Sequence, residues 1–436
     1  MTKVATPTLG IVSLGCAKAL VDTERLLSSL EPHFRFSNSY EKADAVLINT
    51  CGFIEEAEEE SFAVIAEALE KNGKVVVMGC LGARKDKVKA RFPEVLAITG
   101  PNDMHAVQEA LRRVFPHMTI TPNQTTNVQL TPAHYAYIKI AEGCNHHCTF
   151  CIIPQLRGPL QSRRIGSILH EAETMVKKGV KELLVIAQDS MAYGVDLRYR
   201  SDFWRNQIVK TDIVHLLRLL GQLGVWVRLH YVYPYPKVES LLALMQEGLL
   251  LPYLDMPLQH SSPKILAWMK RPAHGEKILE RLQNWRGLLP DLTIRSTFIV
   301  GFPGETEEDF EHLLQFLDAA QLDRVGCFTY SPIEGAPAND LPFLVPEAIK
   351  EERKMRLMER QEVISARRLQ RFIGKTIEVM IDDIEGDMAI GRSQGDAPEV
   401  DGIVEIHGMT QQKPGDRVHV SIEGSNNHDL WGSVIS

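Results

Sequence analysis

The chain has 436 residues, 44% of them hydrophobic, so at roughly 150 residues per domain it holds about three domains with proper cores and is not a disordered segment. Its formal net charge is −8, from 48 Lys and Arg against 56 Asp and Glu, which excludes a chain-wide basic surface for nucleic acid or anionic lipid. From Ile373 onward four basic residues face twelve acidic ones, so the whole excess sits in the last segment.

No apolar run approaches the roughly 18 residues that span a bilayer, and Met1 to Val4 lacks the pattern of a signal peptide. A soluble, cytoplasmic protein with no membrane partner is expected. Seven cysteines are too few and too scattered for a secreted disulfide framework; in a reducing compartment they point to metal or cluster ligation.

The first hundred residues alternate short β-branched runs (Leu9–Leu14, Ala45–Ile48, Val75–Met78, Val95–Thr99) with helical stretches at Ala17–Leu30, Glu55–Lys71 and Arg84–Arg91. This predicts a doubly wound α/β domain over 1–120. Between Pro101 and Pro132 the pattern breaks up, and Thr121–Asn127 reads as a linker. Alternation resumes with a longer period, giving strands near Tyr137, Leu184, Val227, Leu254, Phe298 and Phe328, a partial or complete parallel (β/α) barrel within 130–368. Pro346–Phe372 is charged and helical. Beyond it, Thr376–Ile381, Gly402–Ile406 and Arg417–Ile422 predict a small antiparallel β-barrel over 369–436.

The sharpest motif is Cys144-Asn145-His146-His147-Cys148-Thr149-Phe150-Cys151, a CxxxCxxC directly after the first barrel strand. Three thiolates so close wrap one face of a cubane, and because iron–sulfur clusters normally take four, one iron stays open to a ligand. A structural zinc site completed by His146 or His147 is the competing reading. A second pattern is non-local. Cys16, Cys51 and Cys80 each follow a predicted parallel strand, and such strand ends share the ligand-binding edge of a doubly wound sheet. Gly15, Gly52 and Gly79 beside them permit close backbone approach, although buried cysteine is also a common small core residue.

The CxxxCxxC after the first strand of a βα barrel resembles the radical S-adenosylmethionine superfamily. That resemblance implies chelation of the open iron by the methionine moiety and release of a 5′-deoxyadenosyl radical. With the second triad, essentially the whole chain resembles the methylthiotransferase family, which implies two [4Fe–4S] clusters and S-adenosylmethionine as cofactors. Cys144, Cys148 and Cys151 then bind the cleaving cluster, and Cys16, Cys51 and Cys80 the sulfur-handling one. A TRAM-like barrel recruits substrate, and a flavodoxin-like or ferredoxin-like electron donor is expected.

Within the family, Ser13 to Glu24, Ala187-Gln188-Asp189-Ser190 with Tyr193 to Asp196, Arg228 to Pro234, Leu254 to Ser261 and Gly301 to Thr306 resemble the RimO branch, though Ala17 and Ala19 stand where that branch usually carries Pro and Asn. The branch implies methylthiolation of an aspartate β-carbon in small-subunit ribosomal protein number twelve. The sister branch implies an adenosine in transfer RNA, and a non-catalytic iron–sulfur carrier or metal-stabilised scaffold is a reading from another class. The acidic tail favours a basic ribosomal protein as partner and opposes direct RNA binding, because phosphate contacts need cations; an ordinary solvated acidic face is the alternative. Gln188, Asp189, His230, Asp255, Gln259 and His260 lie at predicted strand ends. Of these, Gln188, Asp189 and Gln259, with Gly301, Gly304 and Glu305, are the expected cofactor contacts. Each could instead be a satisfied buried group or part of a tight turn. Cys327 reads as core, and Arg157, Arg163 and Arg164 as a substrate entrance or a solvated loop.

Overall fold

The computed structural model describes residues 6–118, 128–271, 277–408 and 412–435; the expected linker at Thr121–Asn127 lies outside them. The N-terminal elements run β1 (Thr8–Ser13), α1 (Ala17–Leu30), β2 (Arg35–Ser37), β3 (Ala45–Thr50), α2 (Glu55–Lys71), β4 (Val75–Gly79), α3 (Lys85–Arg91), β5 (Ala97–Ile98) and α4 (Met104–Val114). Every strand pairs parallel, in the order β2-β1-β3-β4-β5. Strands β3 and β4 are buried throughout, as near-continuous apolar runs covered on both faces must be. One face packs Leu26, Leu30, Val107 and Leu111, and the other packs Phe62, Ile65 and Val88. The order reverses between β1 and β3, which places the ligand crevice of such a sheet at their carboxyl ends. Helix α4 falls in the stretch expected to be irregular; Asp103 caps it by accepting from Ala106 N at 3.1 Å.

The central domain contains β6 (Tyr135–Lys139), β7 (Ala141–Glu142), α5 (Ile153–Arg157), β8 (Gln161–Ser162), α6 (Ile165–Lys177), β9 (Glu182–Ile186), β10 (Ser201–Trp204), β11 (Gln207–Lys210), α7 (Ile213–Gly221), β12 (Trp226–Leu229), α8 (Glu239–Gln246), β13 (Tyr253–Asp255), α9 (Pro263–Trp268), α10 (Ile278–Leu288), β14 (Thr293–Val300), α11 (Glu307–Ala320) and β15 (Arg324–Thr329). Two parallel triplets form, β6-β9-β12 and β13-β14-β15. They are stitched by Leu251 N to Val227 O (2.9 Å) and Val232 N to Asp255 O (2.8 Å). Among the described residues no pairing joins β15 back to β6, so the barrel is partial. Successive side chains point to opposite faces. Ala136, Ile138, Leu183, Val185, Phe298 and Val300 enter the main core beneath the helices, together with Cys327. The other face of β6 and β9 (Tyr135, Tyr137, Leu184, Ile186) receives Val21 of α1. On the far side Thr297 and Ile299 stay partly open and Phe328 is 55% exposed, so a cleft remains inside the barrel.

Helix α12 (Glu347–Leu369) packs along β15. The chain then closes a five-stranded barrel from β16 (Thr376–Glu385), β17 (Met388–Ser393), β18 (Val404–His407), β19 (Arg417–Ser425) and β20 (Leu430–Val434). This small barrel docks under the amino-terminal ends of the large barrel's strands. Arg392 pairs with Glu182 (2.8 Å), which pairs with Arg228 (2.7 Å), all three buried. Asp382 meets His134 (2.7 Å), Asp396 meets Arg324 (2.5 Å), Glu399 accepts from Tyr135 Oη (2.9 Å) and Asp401 from Tyr253 Oη (2.7 Å). Much of the acidic excess offered by the sequence to a basic partner is therefore used internally. Asp383, Glu385, Asp387, Glu405 and Glu423 form the exposed remainder, with Glu399. Among the described residues no helix is long and apolar enough to cross a membrane.

Candidate functional site

Three turns bring Cys16, Cys51 and Cys80 to one edge. Each follows a parallel strand of the N-terminal sheet, β1, β3 or β4, and Cys16 and Cys51 flank the switch point. Gly15 adopts φ +91°, and a Cβ on it would lie 3.1 Å from Cys51 Cβ and 3.2 Å from its sulfur, so only glycine lets the two turns close on each other. Cys16 stands at the N-terminus of α1 and is exposed. Crowding by neighbouring atoms opposes its ionisation, but Lys18, the Ala19 and Lys18 N–H groups and Arg157 outweigh it and hold the thiol below its ordinary value. Burial pushes Cys80 up to about 11, with Arg157 pulling the other way through charge and a hydrogen bond, and burial also raises Cys51. Such thiols become thiolates on binding a metal.

Cys144, Cys148 and Cys151 lie in the loop between β7 and α5. Gly143, at φ +74°, lets this loop run against Pro159 O, which a Cβ would approach to 2.2 Å; Cys144 N then donates to Gly158 O at 3.1 Å. Burial raises Cys144, and raises Cys151 to about 12, while Arg271 beside Cys148 lowers both. Among the described residues no three His, Cys, Asp or Glu side chains converge on one point as a single metal ion requires. A cubane is held differently, each thiolate taking its own iron.

The two triads are neighbours. Cys80 packs in one apolar cluster with Ile152, the residue after Cys151, and Leu156 of α5. Arg157, at the end of α5, reaches back from the barrel to Cys80 and Cys16. It is buried, donating to Asp22 (3.0 Å) and Glu142 (2.8 Å), and is no solvated loop residue. Lys139 joins the same two carboxylates, and Gln188 Nε2 donates to Glu142 at 2.9 Å. Burial opposes ionisation of Glu142, but Lys139 and Arg157 hold it at about 2. Arg163 also turns inward, to Glu171, whereas Arg164 is largely exposed against Asp202.

Asp189 points away from Gln188. Its Oδ2 accepts from Tyr235 Oη (2.8 Å) and lies 2.8 Å from His146 Nε2, tying the cysteine loop to the strand-end loops of β9 and β12. His146 stacks on Tyr233 with centroids 4.0 Å apart. A cavity of about 530 Å³ opens here beside Cys144, Asp189 and Tyr235. Gln259 sits at φ +73° and is stitched to β14 through Thr297 O and Ile299 N (both 2.8 Å). Gln188 Oε1 and His230 Nε2 are buried without a protein partner, whereas His230 Nδ1 meets Asp255 at 3.0 Å.

Gly301, Gly304 and Glu305 lie in the turn between β14 and α11. A Cβ at Gly301 would strike Lys350 Cγ at 2.3 Å, and one at Gly304 would strike Trp268 at 2.3 Å. Glu305 is buried against Arg353 (2.8 Å) and His260 (3.3 Å) and accepts from Gly301 N (3.0 Å). These residues pin the turn from β14 to α11 beneath α12, and the open face of β14 belongs to Thr297 and Ile299. Two groups escaped the sequence reading: Lys18, whose ammonium lies 3.1 Å from the Tyr231 ring centroid, and the tyrosines of Tyr231-Val232-Tyr233-Pro234-Tyr235, whose alternation was the available signal.

Comparison with known proteins agrees with this architecture. Residues 138–317 match the radical SAM superfamily, 373–435 the TRAM domain and 8–100 the uncharacterized protein family UPF0004. A radical S-adenosylmethionine methyltransferase, TsrM from Kitasatospora setae, shares the fold at a TM-score of 0.56 over 76% of this chain and 77% of its own, with 12% identity. Curated relatives named ribosomal protein uS12 methylthiotransferase RimO are far closer in sequence. The protein from Cronobacter sakazakii is 55% identical over 98% of both chains, that from Cellvibrio japonicus 56% identical over 98% of this chain and 96% of its own, and that from Pectobacterium atrosepticum 55% identical over the full length of both. The chain belongs to the RimO family of radical S-adenosylmethionine methylthiotransferases.

Proposed function

We propose that this methylthiotransferase acts on ribosomal protein uS12, replacing a β-hydrogen of an aspartyl side chain with S–CH₃. The observation that carries the reading is the adjacency of two cysteine triads, through the packing of Cys80 against Ile152 and Leu156, in a chain 55% identical to proteins named ribosomal protein uS12 methylthiotransferase RimO. Cys144, Cys148 and Cys151 hold one [4Fe–4S] cluster, and Cys16, Cys51 and Cys80 the other. Three thiols per triad, the Gly15 and Gly143 approaches, and the unpartnered Gln188 Oε1 and His230 Nε2 all suit two cubanes with S-adenosylmethionine nearby.

A β C–H is too weakly acidic for a positioned base of ordinary pKa. When bound at Cys144, Cys148 and Cys151, a cluster with S-adenosylmethionine would supply the one-electron chemistry that abstracts the hydrogen, and a cluster at Cys16, Cys51 and Cys80 would supply the methylated sulfur and accept the electron that C–S bond formation releases. The chain's own residues orient and seal. His146, Asp189 and Tyr235 fix the cysteine loop, the Lys139–Asp22–Arg157–Glu142 network holds the N-terminal sheet against the barrel, and α1 closes the open barrel face. A one-electron carrier of flavodoxin or ferredoxin type supplies the priming electron in the cytoplasm.

The test is anaerobic reconstitution and incubation with S-adenosylmethionine, sulfide, a strong reductant and either uS12 or transfer RNA. A mass gain of CH₂S on the target aspartate of uS12 is the expected result. The same gain on transfer RNA alone, or no 5′-deoxyadenosine despite full iron loading, would overturn it.

A further inference from the structure

We propose that Lys18 grips the carboxylate of the aspartyl side chain being modified and thereby selects it; this rests on the reading of uS12 as substrate. Lys18 lies on α1 two residues beyond Cys16, is only 9% exposed, and acts electrostatically on that thiol. Its ammonium sits 3.1 Å from the centroid of the Tyr231 ring. Among the described residues no carboxylate pairs with it. Asp22, one helical turn along and the natural i,i+4 partner, is turned to Lys139 and Arg157; Glu142 is bound by the same two cations, and Glu24 accepts from Leu130 N.

A lysine so enclosed is ordinarily paired with an anion, and an aromatic face is not one. The missing partner is an anion brought by a ligand. Tyr231 strengthens the case. It lies two residues beyond β12 with φ +59°, a backbone region that a bulky residue rarely occupies, and is held there by Tyr231 N to Asp255 (3.2 Å) and Ser190 N to Tyr231 O (3.2 Å). Strain therefore presents a ring at the carboxyl end of the barrel, directly under the ammonium.

The chemistry of aspartate explains why this place is useful. Its carboxyl carbon is bonded directly to the β-carbon, so an ammonium holding the carboxylate beside Cys16 keeps the reacting carbon next to the sulfur-handling triad. An adenine base offers no carboxylate. S-adenosylmethionine carries one too, and its affinity, measured alongside, separates the two ligands.

The experiment uses the full chain with both clusters reconstituted and compares uS12 with its variant carrying Asn for the target Asp. Binding is measured anaerobically alongside iron content and S-adenosylmethionine affinity. Wild type is expected to favour Asp over Asn about ten- to a hundred-fold, the range for a hydrogen bond to a charged group. Lys18→Met should bind the two alike, Lys18→Arg should keep the preference, and iron and S-adenosylmethionine affinity should not change. Should Lys18→Met lose iron, Lys18→Gln takes its place. Retained discrimination in Lys18→Met, absence of discrimination in wild type, or a loss confined to S-adenosylmethionine affinity would each overturn the proposal. Methylthiolation of transfer RNA instead of uS12 by wild type would overturn the parent reading, and is seen independently of any Lys18 variant.

Discussion

Glu182→Gln tests whether the small barrel is clamped by charge. Glu182 and Arg228 are both 0% exposed, and Glu182 accepts from Arg228 Nε at 2.7 Å and Arg392 Nη1 at 2.8 Å. The substitution keeps the shape but leaves two guanidinium groups facing an amide, with Asp382 the nearest remaining anion, bonded to Arg392 at 2.7 and 3.1 Å. Removing one partner of a buried pair costs about 3–5 kcal/mol, because the survivor stays desolvated. Equilibrium urea unfolding read by tryptophan fluorescence measures it directly, since Trp226 packs in this interface with Met380 and Ala397. The double variant Glu182→Leu with Arg228→Met, which removes charge from both sides, should recover part of the loss. A penalty below about 1 kcal/mol, typical of solvent-exposed pairs, or a double variant no better than the single, would refute the argument.

Other outcomes follow from the same geometry. Burial opposes ionisation of Asp255, but His230 and Arg295 hold its carboxyl at about 2, below the unfolded value near 3.9. Its stabilisation is present above about pH 4 and vanishes as pH falls toward 2, worth about 2–3 kcal/mol, so Asp255→Asn should flatten acid-unfolding curves in that window. Gly15→Ala should drive Cys51 aside and lower iron by about four per chain, as Cys16→Ala should, while the cluster at Cys144 stays visible by electron paramagnetic resonance; unchanged iron in both refutes the second triad. Arg157→Gln should destabilise by about 3 kcal/mol and Arg164→Gln, at an exposed pair, by less than about 1 kcal/mol in urea titrations; equal effects refute the distinction.

Sequence was informative where periodicity is strong and chemistry is punctuated. Cys16, Cys51 and Cys80 became visible as a set because each follows a short β-branched run, fully buried in the case of Cys51 and Cys80, and parallel strands align such ends. The six main strands of the large barrel were legible for the same reason. The small barrel gave only three of its five strands: Met388–Ser393 and Leu430–Val434 contain Gly391 and Gly432 and are held by neighbours on both sides rather than by β-propensity. The hairpin of β10 and β11 exposes Phe203 and Ile208 and so lacks the half-buried alternation that marks a strand. Charge balance misled in part, because composition does not say which acids face inward; Asp382, Asp396 and Asp401 do. The Gly301 to Glu305 string forms a turn whose glycines face Lys350 and Trp268, contacts distant in sequence and so not legible there.

The small barrel sits at the opposite end of the strands from the cysteines. Strands of five or six residues at about 3.3 Å each put some 15–20 Å of protein between those two ends. A client that touched both the lower module and the upper edge would have to span that distance along the flank.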